Sequence, residues 1–244
     1  MTNFVKKNVQ KKYGLPDKVK FCKRCVVSNQ RPRIVFDDEG VCSACRFAEH
    51  KKNVIQWSKR ENELTQLCNK CRSKDGSYDV IVPGSGGKDS NYVAHMLKEK
   101  YDMHPLVVTW APHIYTEIGR KNLTSFIDSG FDNILITPNG SVHRKLTKAA
   151  FIEMGDPFQP FIFGQYSAPF RVAIQYEIPI VMYGEDGEVE YGGSMEHADR
   201  ASLSYDDFIA NRFSSVFPES FEKYGITKEE LNKYGLSKEE LKKI

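Results

Sequence analysis

The fold of this chain is decided by one stretch, Tyr78-Asp79-Val80-Ile81-Val82-Pro83-Gly84-Ser85-Gly86-Gly87-Lys88-Asp89-Ser90. A short apolar run of β type ends in a glycine-rich turn, and a helical pattern then runs from Asp89 to about Tyr101. Free backbone N–H groups at the positive end of a helix dipole attract anions. Gly86 and Gly87 allow positive φ and a close approach of the backbone to a phosphate. The stretch therefore predicts a strand, a phosphate-sized loop and a helix N-terminus.

Short apolar runs alternate with helical patterns between residues 79 and 183. The predicted strands are 79–82, 105–110, 133–136 and 179–183, and the predicted helices are 89–101, 116–129, 141–154 and 165–176. Buried strands separated by helices are typical of an α/β fold with a twisted parallel sheet and helices on both faces. Thr109, Trp110, Gly184 and Glu185 all lie at carboxyl ends of predicted strands. Ligands bind at that edge of such sheets, so we expect these residues to share one site with the loop.

All six cysteines occur in Cys-x-x-Cys pairs. Cys22 and Cys25 are separated by sixteen residues from Cys42 and Cys45, which is the spacing of a tetrahedral zinc site. Between the pairs, residues 33–36 have a strand pattern and residues 37–40 a turn pattern. The spacing predicts a small zinc ribbon in which Zn²⁺ is structural, because a segment this short cannot build its own core.

The third pair, Cys68 and Cys71, leaves two interpretations open. Two ligands do not complete a zinc shell, so the pair is either part of a second metal or redox site or a local structural feature. The segment 46–67, which precedes this cysteine pair, has helical spacing and predicts a connecting helix.

Composition and charge give no indication of a membrane protein or of a protein that binds nucleic acid. The net charge of +3 does not by itself indicate nucleic acid or a membrane, and no apolar run of membrane-spanning length is present. The lysine-rich N-terminus has no apolar h-region, so we expect no signal peptide. We expect a cytoplasmic protein, where paired cysteines indicate metal rather than disulfides. The expected segments are a basic arm at 1–20, the ribbon at 21–47, a connecting helix and loop at 48–77, an α/β domain at 78–215, and a helical tail at 216–244.

The glycine-rich loop is not a Walker A motif, since Asp89 follows Gly87-Lys88 and Val82 stands where the first glycine is required. The segment Ser-Gly-Gly-Lys-Asp-Ser instead resembles the PP-loop of the ATP pyrophosphatase superfamily. The resemblance implies an adenine-nucleotide alpha-hydrolase-like fold, with 78–215 as the PP-loop ATP-binding domain. It also implies cleavage of ATP between its α and β phosphates.

Segments outside the loop resemble the N-acetyl sugar amidotransferases of bacterial surface-glycan biosynthesis, which act on lipopolysaccharide O-antigen sugars and pseudaminic or legionaminic acids. The similar segments are the cysteine pairs with 31–37 and 40–46, and Gly184-Glu185 followed by Glu190-Tyr191-Gly192-Gly193. The resemblance covers roughly residues 20–200 and implies conversion of an acetamido into an acetamidino group. Members of the family continue beyond residue 244, so we expect a truncated or unusually short form of it.

The resemblance implies roles for the following residues. Gly84, Ser85, Gly86, Gly87, Lys88, Asp89 and Ser90 would bind the departing pyrophosphate, with Lys88 and Asp89 also catalytic. Thr109, Trp110 and Gly184 would border the nucleotide. Glu185, with Asp186, would contact Mg²⁺ or substrate. Glu190-Tyr191-Gly192-Gly193 would shape the sugar pocket, and Arg171 would pair with a substrate anion. For Trp110 and Glu185 the alternatives, a core residue and a solvated turn, stay open.

No cysteine follows Cys71, so a cysteine glutaminase is expected in a separate subunit that supplies ammonia, reached through a cyclase-like adaptor. The expected ligands are ATP, Mg²⁺, Zn²⁺ and an N-acetylated sugar, with no membrane or nucleic acid; a homo-oligomer is left open. Two alternatives remain at this point. One is a tRNA thiolation enzyme that uses the same loop, and the other is an ATP-binding docking module without activity.

Overall fold

The structure is a computed structural model that describes residues 11, 14–185, 189–193, 198, 202, 204–213 and 216–243. Packing divides it into two compact units. Unit 1 holds the described residues of Met1–Lys59 and Asp186–Ser202, and unit 2 those of Arg60–Glu185 and Leu203–Ile244. Among the described helices, none has the length and apolar character needed to cross a membrane. The predicted segment boundaries and the cytoplasmic location stay predictions.

The described elements alternate as an α/β chain. Strands are β1 (Val80–Pro83), β2 (Pro105–Trp110) and β3 (Asp132–Ile136). The α-helices are α1 (Ser43–Asn53), α2 (Trp57–Cys71), α3 (Lys88–His95), α4 (Glu117–Asp128), α5 (Gly140–Met154), α6 (Gln159–Gln175), α7 (Tyr205–Arg212), α8 (Lys228–Leu231) and α9 (Lys238–Leu241). A π-helical turn (Met96–Lys100) continues α3, and 3₁₀ turns lie at Pro218–Tyr224 and Asn232–Tyr234.

The sheet confirms the predicted parallel α/β architecture. Its order is β1-β2-β3, with Val80 opposite Pro105 and Leu106 opposite Asp132. All six residues of β2 are buried, because this strand lies between two others and under the flanking helices. Helix α6 packs on β1 and β2. The hydrophobic run of β2 is therefore typical of a strand covered on both faces.

The predicted fourth strand, 179–183, is reduced to a single parallel bridge between Val181 and Ile81. Ile81 N–H donates to Ile180 O and Met182 N–H to Ile81 O, each at 2.9 Å. Pro179 has no N–H to extend this ladder. The bridge lies on the edge of β1 opposite β2, so the chain leaves β1 in one direction and later returns on its other side. This reversal is the switch point at which ligands bind in open parallel sheets.

The helices differ from the predictions mainly at their ends. The predicted connecting helix is two helices, α1 and α2, and α6 begins at Gln159 rather than 165 because Pro160 is tolerated in a first turn. Both short tail helices have the predicted caps: Thr227 caps α8 and Ser237 caps α9, each in a complete capping box.

Unit 1 is built around the first four cysteines. Antiparallel bridges join Phe21 to Ser28 and Phe36 to Cys42. The predicted strand 33–36 is only the bridge at Phe36, because Arg33 has a φ of 63°, which no strand accommodates.

Candidate functional site

The loop after β1 has positive φ at Gly86 but not at Gly87. Gly86 has a φ of +86°, and a Cβ there would lie 2.6 Å from Leu123 N at the backbone of α4. A Cβ at Gly84 would lie 2.9 Å from the Phe126 ring. Gly87 differs, since its φ is −71° and the nearest heavy atom to a Cβ would be Ser85 Oγ at 4.0 Å. Two glycines are thus required by packing, whereas Gly87 borders open space.

Helix α3 begins directly after this loop without a side-chain cap. Its N-cap residue is Gly87, which has no side chain to accept from the first N–H groups of the helix. Ser90 Oγ donates to Gly87 O at 3.1 Å and Asn91 Nδ2 to Gly86 O at 3.3 Å, so both side chains support the loop. The first-turn N–H groups of the helix therefore lie without a side-chain cap directly after a glycine-rich loop, which is an arrangement that binds anions.

Lys88 and Asp89 carry the charges of this turn. Lys88 Nζ lies 2.6 and 2.8 Å from the two carboxylate oxygens of Asp89. Their side chains are 88% and 54% exposed, so neither is held in the core. An exposed pair of this kind contributes little to stability, which leaves both groups able to turn toward a ligand.

Thr109 supports the loop from the end of β2. Its hydroxyl donates to Gly84 O at 2.5 Å and accepts from Asn133 Nδ2 at 2.8 Å. Trp110 is 7% exposed, and a Cβ at Gly164 would lie 2.1 Å from the indole, so the ring lies directly against helix α6. Thr109 and Trp110 therefore belong to the core below the site. Their contact with a nucleotide stays a prediction.

Gly184 follows the bridge at Val181 and lies against the start of α3. A Cβ at Gly184 would come within 2.8 Å of Asp89 C, which brings the two loops of the switch point together as predicted for this edge. Glu185 is exposed, and its predicted partner Asp186 lies outside the described residues. Nearby, the buried Tyr183 hydroxyl and Arg212 Nε have no hydrogen-bond partner in the described chain.

Arg171 does not face a ligand site. Its guanidinium donates to Asn232 O at 2.5 Å, to Gly235 O at 2.6 Å and to Glu240 Oε1 at 3.1 Å. Because these contacts involve both terminal nitrogens, the arginine fixes the C-terminal tail to α6, and the expectation that it pairs with a substrate anion is not supported. Its Nε has no hydrogen-bond partner among the described residues.

The predicted sugar-pocket segment lies in unit 1. Glu190 pairs with Lys51 on α1, and Ser43 Oγ donates to Gly192 O at 2.9 Å. Gly192 has a φ of +87° and a Cβ there would contact Ile34 at 3.0 Å, so glycine is required at this turn. A role of Glu190-Tyr191-Gly192-Gly193 in binding sugar stays a prediction.

The first four cysteines form a cluster that could hold a metal ion such as zinc. Their sulfur atoms all lie within 4.8 Å of one another. Cys22 Sγ is 3.9 Å from Cys45 Sγ, and Cys25 Sγ is 3.7 Å from Cys42 Sγ. Tetrahedral Zn–S bonds of about 2.3 Å place sulfurs about 3.8 Å apart, so the described spacing fits zinc.

The pKa values of the thiols also favour a bound cation in the four-cysteine cluster. Burial and the neighbouring thiols raise the pKa of Cys45 to about 12. Burial would also raise the pKa of Cys22, but N–H groups of Arg24 and Cys42, each 3.3 Å from its sulfur, lower it to about 6. Four adjacent thiolates repel one another unless a bound cation balances them. The donor set therefore suits a metal better than a group of free thiols.

Cys68 and Cys71 belong to a different environment. Cys68 is 1% exposed and packs with Val80, Leu97 and Tyr101. Burial raises the pKa of both thiols. Among the described residues, no group of three or more metal-ligating side chains includes them. Their geometry is that of the structural alternative, two thiols on the inner side of helix α2.

A cleft of about 670 Å³ opens beyond the carboxyl ends of β2 and β3, and the sequence interpretation missed it. The cleft is bordered by His113 after β2 and by His143 and Arg144 in α5. A histidine three residues past a buried strand was the available signal. Tyr234 contacts His143 and so orders these histidines. Local sequence patterns do not reveal this contact, because Tyr234 lies far from both histidines in sequence.

Comparisons with known proteins add little to this geometry. No family model matches the chain. One similar protein is an uncharacterized protein of Methanocaldococcus jannaschii, which is 28% identical over 88 residues. The match covers 36% of this chain and 31% of the relative, so the chain spans about a third of the length of the protein it matches.

Proposed function

We propose that this chain is the ATP-dependent subunit of an amidotransferase that converts the acetamido group of a bacterial surface-glycan sugar into an acetamidino group. The observation that carries the proposal is the loop at the switch point of the sheet. There an uncapped helix N-terminus, a glycine required by a φ of +86° and the open space at Gly87 lie together. These features favour an anion of phosphate size.

The order Ser85-Gly86-Gly87-Lys88-Asp89-Ser90 supports ATP pyrophosphatase chemistry rather than another phosphate site. Cleavage between the α and β phosphates needs N–H groups around the departing pyrophosphate and a cation near its developing charge. The first turn of α3 offers the N–H groups, and the exposed Lys88 offers the charge. Asp89 lies in the first turn of α3 and Glu185 directly follows Gly184, and we propose that these two carboxylates hold Mg²⁺, which would neutralise phosphate oxygens.

The chemistry balances with these parts. The acetamido oxygen attacks the α phosphorus of ATP, and pyrophosphate leaves. Ammonia then adds to the activated carbon, one of its protons is lost, and AMP departs with the former amide oxygen. The chain's contribution is to hold the pyrophosphate, orient the reacting groups and keep water away from the activated carbon.

The cysteines favour amidination over sulfur transfer. Four of them form the cluster suited to structural zinc, and Cys68 is buried in the core of unit 2. Only Cys71 among the remaining thiols is partly exposed, and its raised pKa makes it a poor nucleophile. We accordingly propose that ammonia, rather than a protein persulfide, is the second substrate and that a glutaminase subunit supplies it.

Pyrophosphate release from ATP tests this function. The protein is incubated with ATP, Mg²⁺ and ammonium chloride, together with N-acetylated sugar acids, N-acetylated nucleotide sugars or unmodified tRNA. The proposal predicts release that needs one sugar and a product in which oxygen is replaced by NH. Release that needs tRNA would instead establish the thiolation alternative. Lys88→Met serves as the inactive variant, and Lys98→Met, on the π-helical turn after α3, is its matched control.

A further inference from the structure

The cleft beyond β2 and β3 has the size and lining of a ligand site. Its volume of about 670 Å³ lies within the range typical of small-molecule pockets. Ala111, Pro112, Pro138, Pro157 and Phe158 supply apolar walls. The polar groups are few and belong to His113, Tyr115, Thr137, His143, Arg144 and Thr147. Apolar walls with a small set of polar groups are typical of sites that bind small organic molecules.

A hydrogen-bond chain that begins at the buried Tyr234 sets which ring nitrogen carries the proton in a neutral His143 and a neutral His113. Tyr234 is 2% exposed, and its hydroxyl lies 3.0 Å from His143 Nδ1, the one partner described for it. A buried hydroxyl hydrogen needs an acceptor, so Tyr234 O–H donates to His143 Nδ1. The neutral ring then carries its proton on Nε2, which donates to His113 Nδ1 at 3.1 Å.

The hydrogen-bond chain from Tyr234 through His143 leaves Nε2 of His113 for a ligand. Because His113 Nδ1 accepts from His143, the proton of a neutral His113 lies on Nε2. His113 is exposed and lines the cleft. It therefore offers a fixed N–H donor to a ligand, and Tyr234 and His143 are positioning residues that set its tautomer.

Arg144 supplies a positive charge at the same cleft. Its side chain is exposed and forms no ion pair or hydrogen bond with the part of the chain that the structure describes. None of the residues that line the cleft is acidic. Asp156 lies beside this lining, where its Oδ1 accepts from Phe158 N–H at 2.8 Å. A guanidinium and an N–H donor in a lining without a carboxylate of its own favour an oxyanion.

We propose that this cleft binds a small organic anion whose carboxylate or phosphate oxygens accept from His113 Nε2–H and pair with Arg144. None of the residues that line the cleft belongs to the loop after β1, and binding to the cleft is measured without ATP. Failure of pyrophosphate release would therefore leave this inference standing, and failure of anion binding would leave the ATP site standing.

Tryptophan fluorescence measures this binding. The chain has two tryptophans, and a Trp57→Phe variant leaves Trp110, whose ring centroid is 6.5 Å from that of His143. The probes are N-acetylneuraminic acid for a carboxylate, N-acetylglucosamine phosphate for a phosphate, and neutral N-acetylglucosamine. We expect one acid to change Trp110 fluorescence saturably and to bind at least about tenfold more tightly than the neutral sugar. No saturable response to either acid, or equal binding of the neutral sugar, would overturn the proposal.

Two pairs of variants locate the bound anion. Arg144→Gln is expected to weaken binding of the acid about tenfold or more, because it removes a charge-assisted hydrogen bond. Lys148→Gln, one turn further along the exposed side of α5 and outside the cleft lining, removes the same net charge and is expected to leave affinity unchanged. Equal losses in the two variants would show a nonspecific charge effect and contradict the site.

The second pair tests the hydrogen-bond chain. In the parent protein, nitrogen NMR is expected to show His143 with its proton on Nε2. Tyr234→Phe removes the donor to Nδ1 and is expected to change that tautomer and to weaken acid binding several-fold. Tyr224→Phe, whose hydroxyl instead bonds Glu153 on the surface, is the control and should change neither. A proton on Nδ1 of His143 in the parent would refute the assigned direction of the chain.

Discussion

Gly86→Ala tests whether the loop after β1 has the backbone that the proposed function requires. Gly86 has a φ of +86°, and an added Cβ would lie 2.6 Å from Leu123 N. An L-residue in the left-handed region costs about 1–2 kcal/mol. Forcing a methyl group against a backbone that cannot yield adds about 1–3 kcal/mol. We therefore expect the free energy of unfolding to fall by about 2–5 kcal/mol.

Two other glycines separate these contributions. Gly155 ends α5 with a φ of +74° and open space around its Cα, so Gly155→Ala should show the backbone cost alone, about 1–2 kcal/mol. Gly87 has a φ of −71° and no atom closer than 4.0 Å to a Cβ, so Gly87→Ala should change stability by less than about 1 kcal/mol. The added methyl nevertheless enters the space proposed for phosphate and should weaken ATP binding about tenfold or more.

Urea unfolding followed by circular dichroism gives the three stabilities, and calorimetric titration gives the ATP affinities. If Gly86→Ala lowers the free energy of unfolding by no more than Gly155→Ala does, the close approach of Gly86 to α4 does not exist. Full ATP affinity in Gly87→Ala would contradict the phosphate cradle while leaving the fold intact.

Three further predictions concern the metal cluster, the tail and pH. We expect plasma mass spectrometry to find one zinc equivalent in the parent protein. Cys25→Ser should abolish it and unfold unit 1, because two-pair zinc modules draw their folding free energy from the metal; Cys71→Ser should retain the zinc. Arg171→Gln should destabilise the tail by about 2 kcal/mol or more, since it removes several charge-assisted hydrogen bonds, and limited proteolysis should then cut faster after residue 216; unchanged cutting would contradict this. Burial lowers the pKa of His143 to about 4, below its usual 6.5. The unfolded chain therefore takes up a proton first as the pH falls, and stability should decrease between about pH 7 and 4, by an amount on the order of 3 kcal/mol for this group. Urea unfolding across that range should show a shallower decrease in His143→Gln.

The sequence was most informative where local chemistry decides the structure. Gly86 and Gly87 were both expected to allow positive φ, and only Gly86 has it, where an added Cβ would meet the backbone of α4. The spacing of Cys22, Cys25, Cys42 and Cys45 predicted a cluster that the structure describes. Thr227 and Ser237 predicted both tail helices, since capping boxes depend on residues three apart.

Features that depend on distant parts of the chain were beyond this reasoning. The segment 179–183 has the composition of a strand, but only Val181 bridges β1, and local pattern does not report how far a ladder extends. Arg171 looked available for a ligand because its partners lie more than sixty residues away in the tail, with Asn232 at 61 and Glu240 at 69. The histidine chain was likewise hidden, since Tyr234 lies 91 residues from His143.

Transfer of a heavy-oxygen label tests the proposed function most directly. The acetamido oxygen of the accepted sugar is replaced by the heavy isotope, and the purified chain is given this sugar with ATP, Mg²⁺ and ammonium chloride. If the amide oxygen attacks the α phosphorus, mass spectrometry will find the label in AMP and an unlabelled amidine as the other product. Unlabelled AMP, or ADP and phosphate in place of AMP and pyrophosphate, would contradict the assignment of this chain as an amide-activating enzyme.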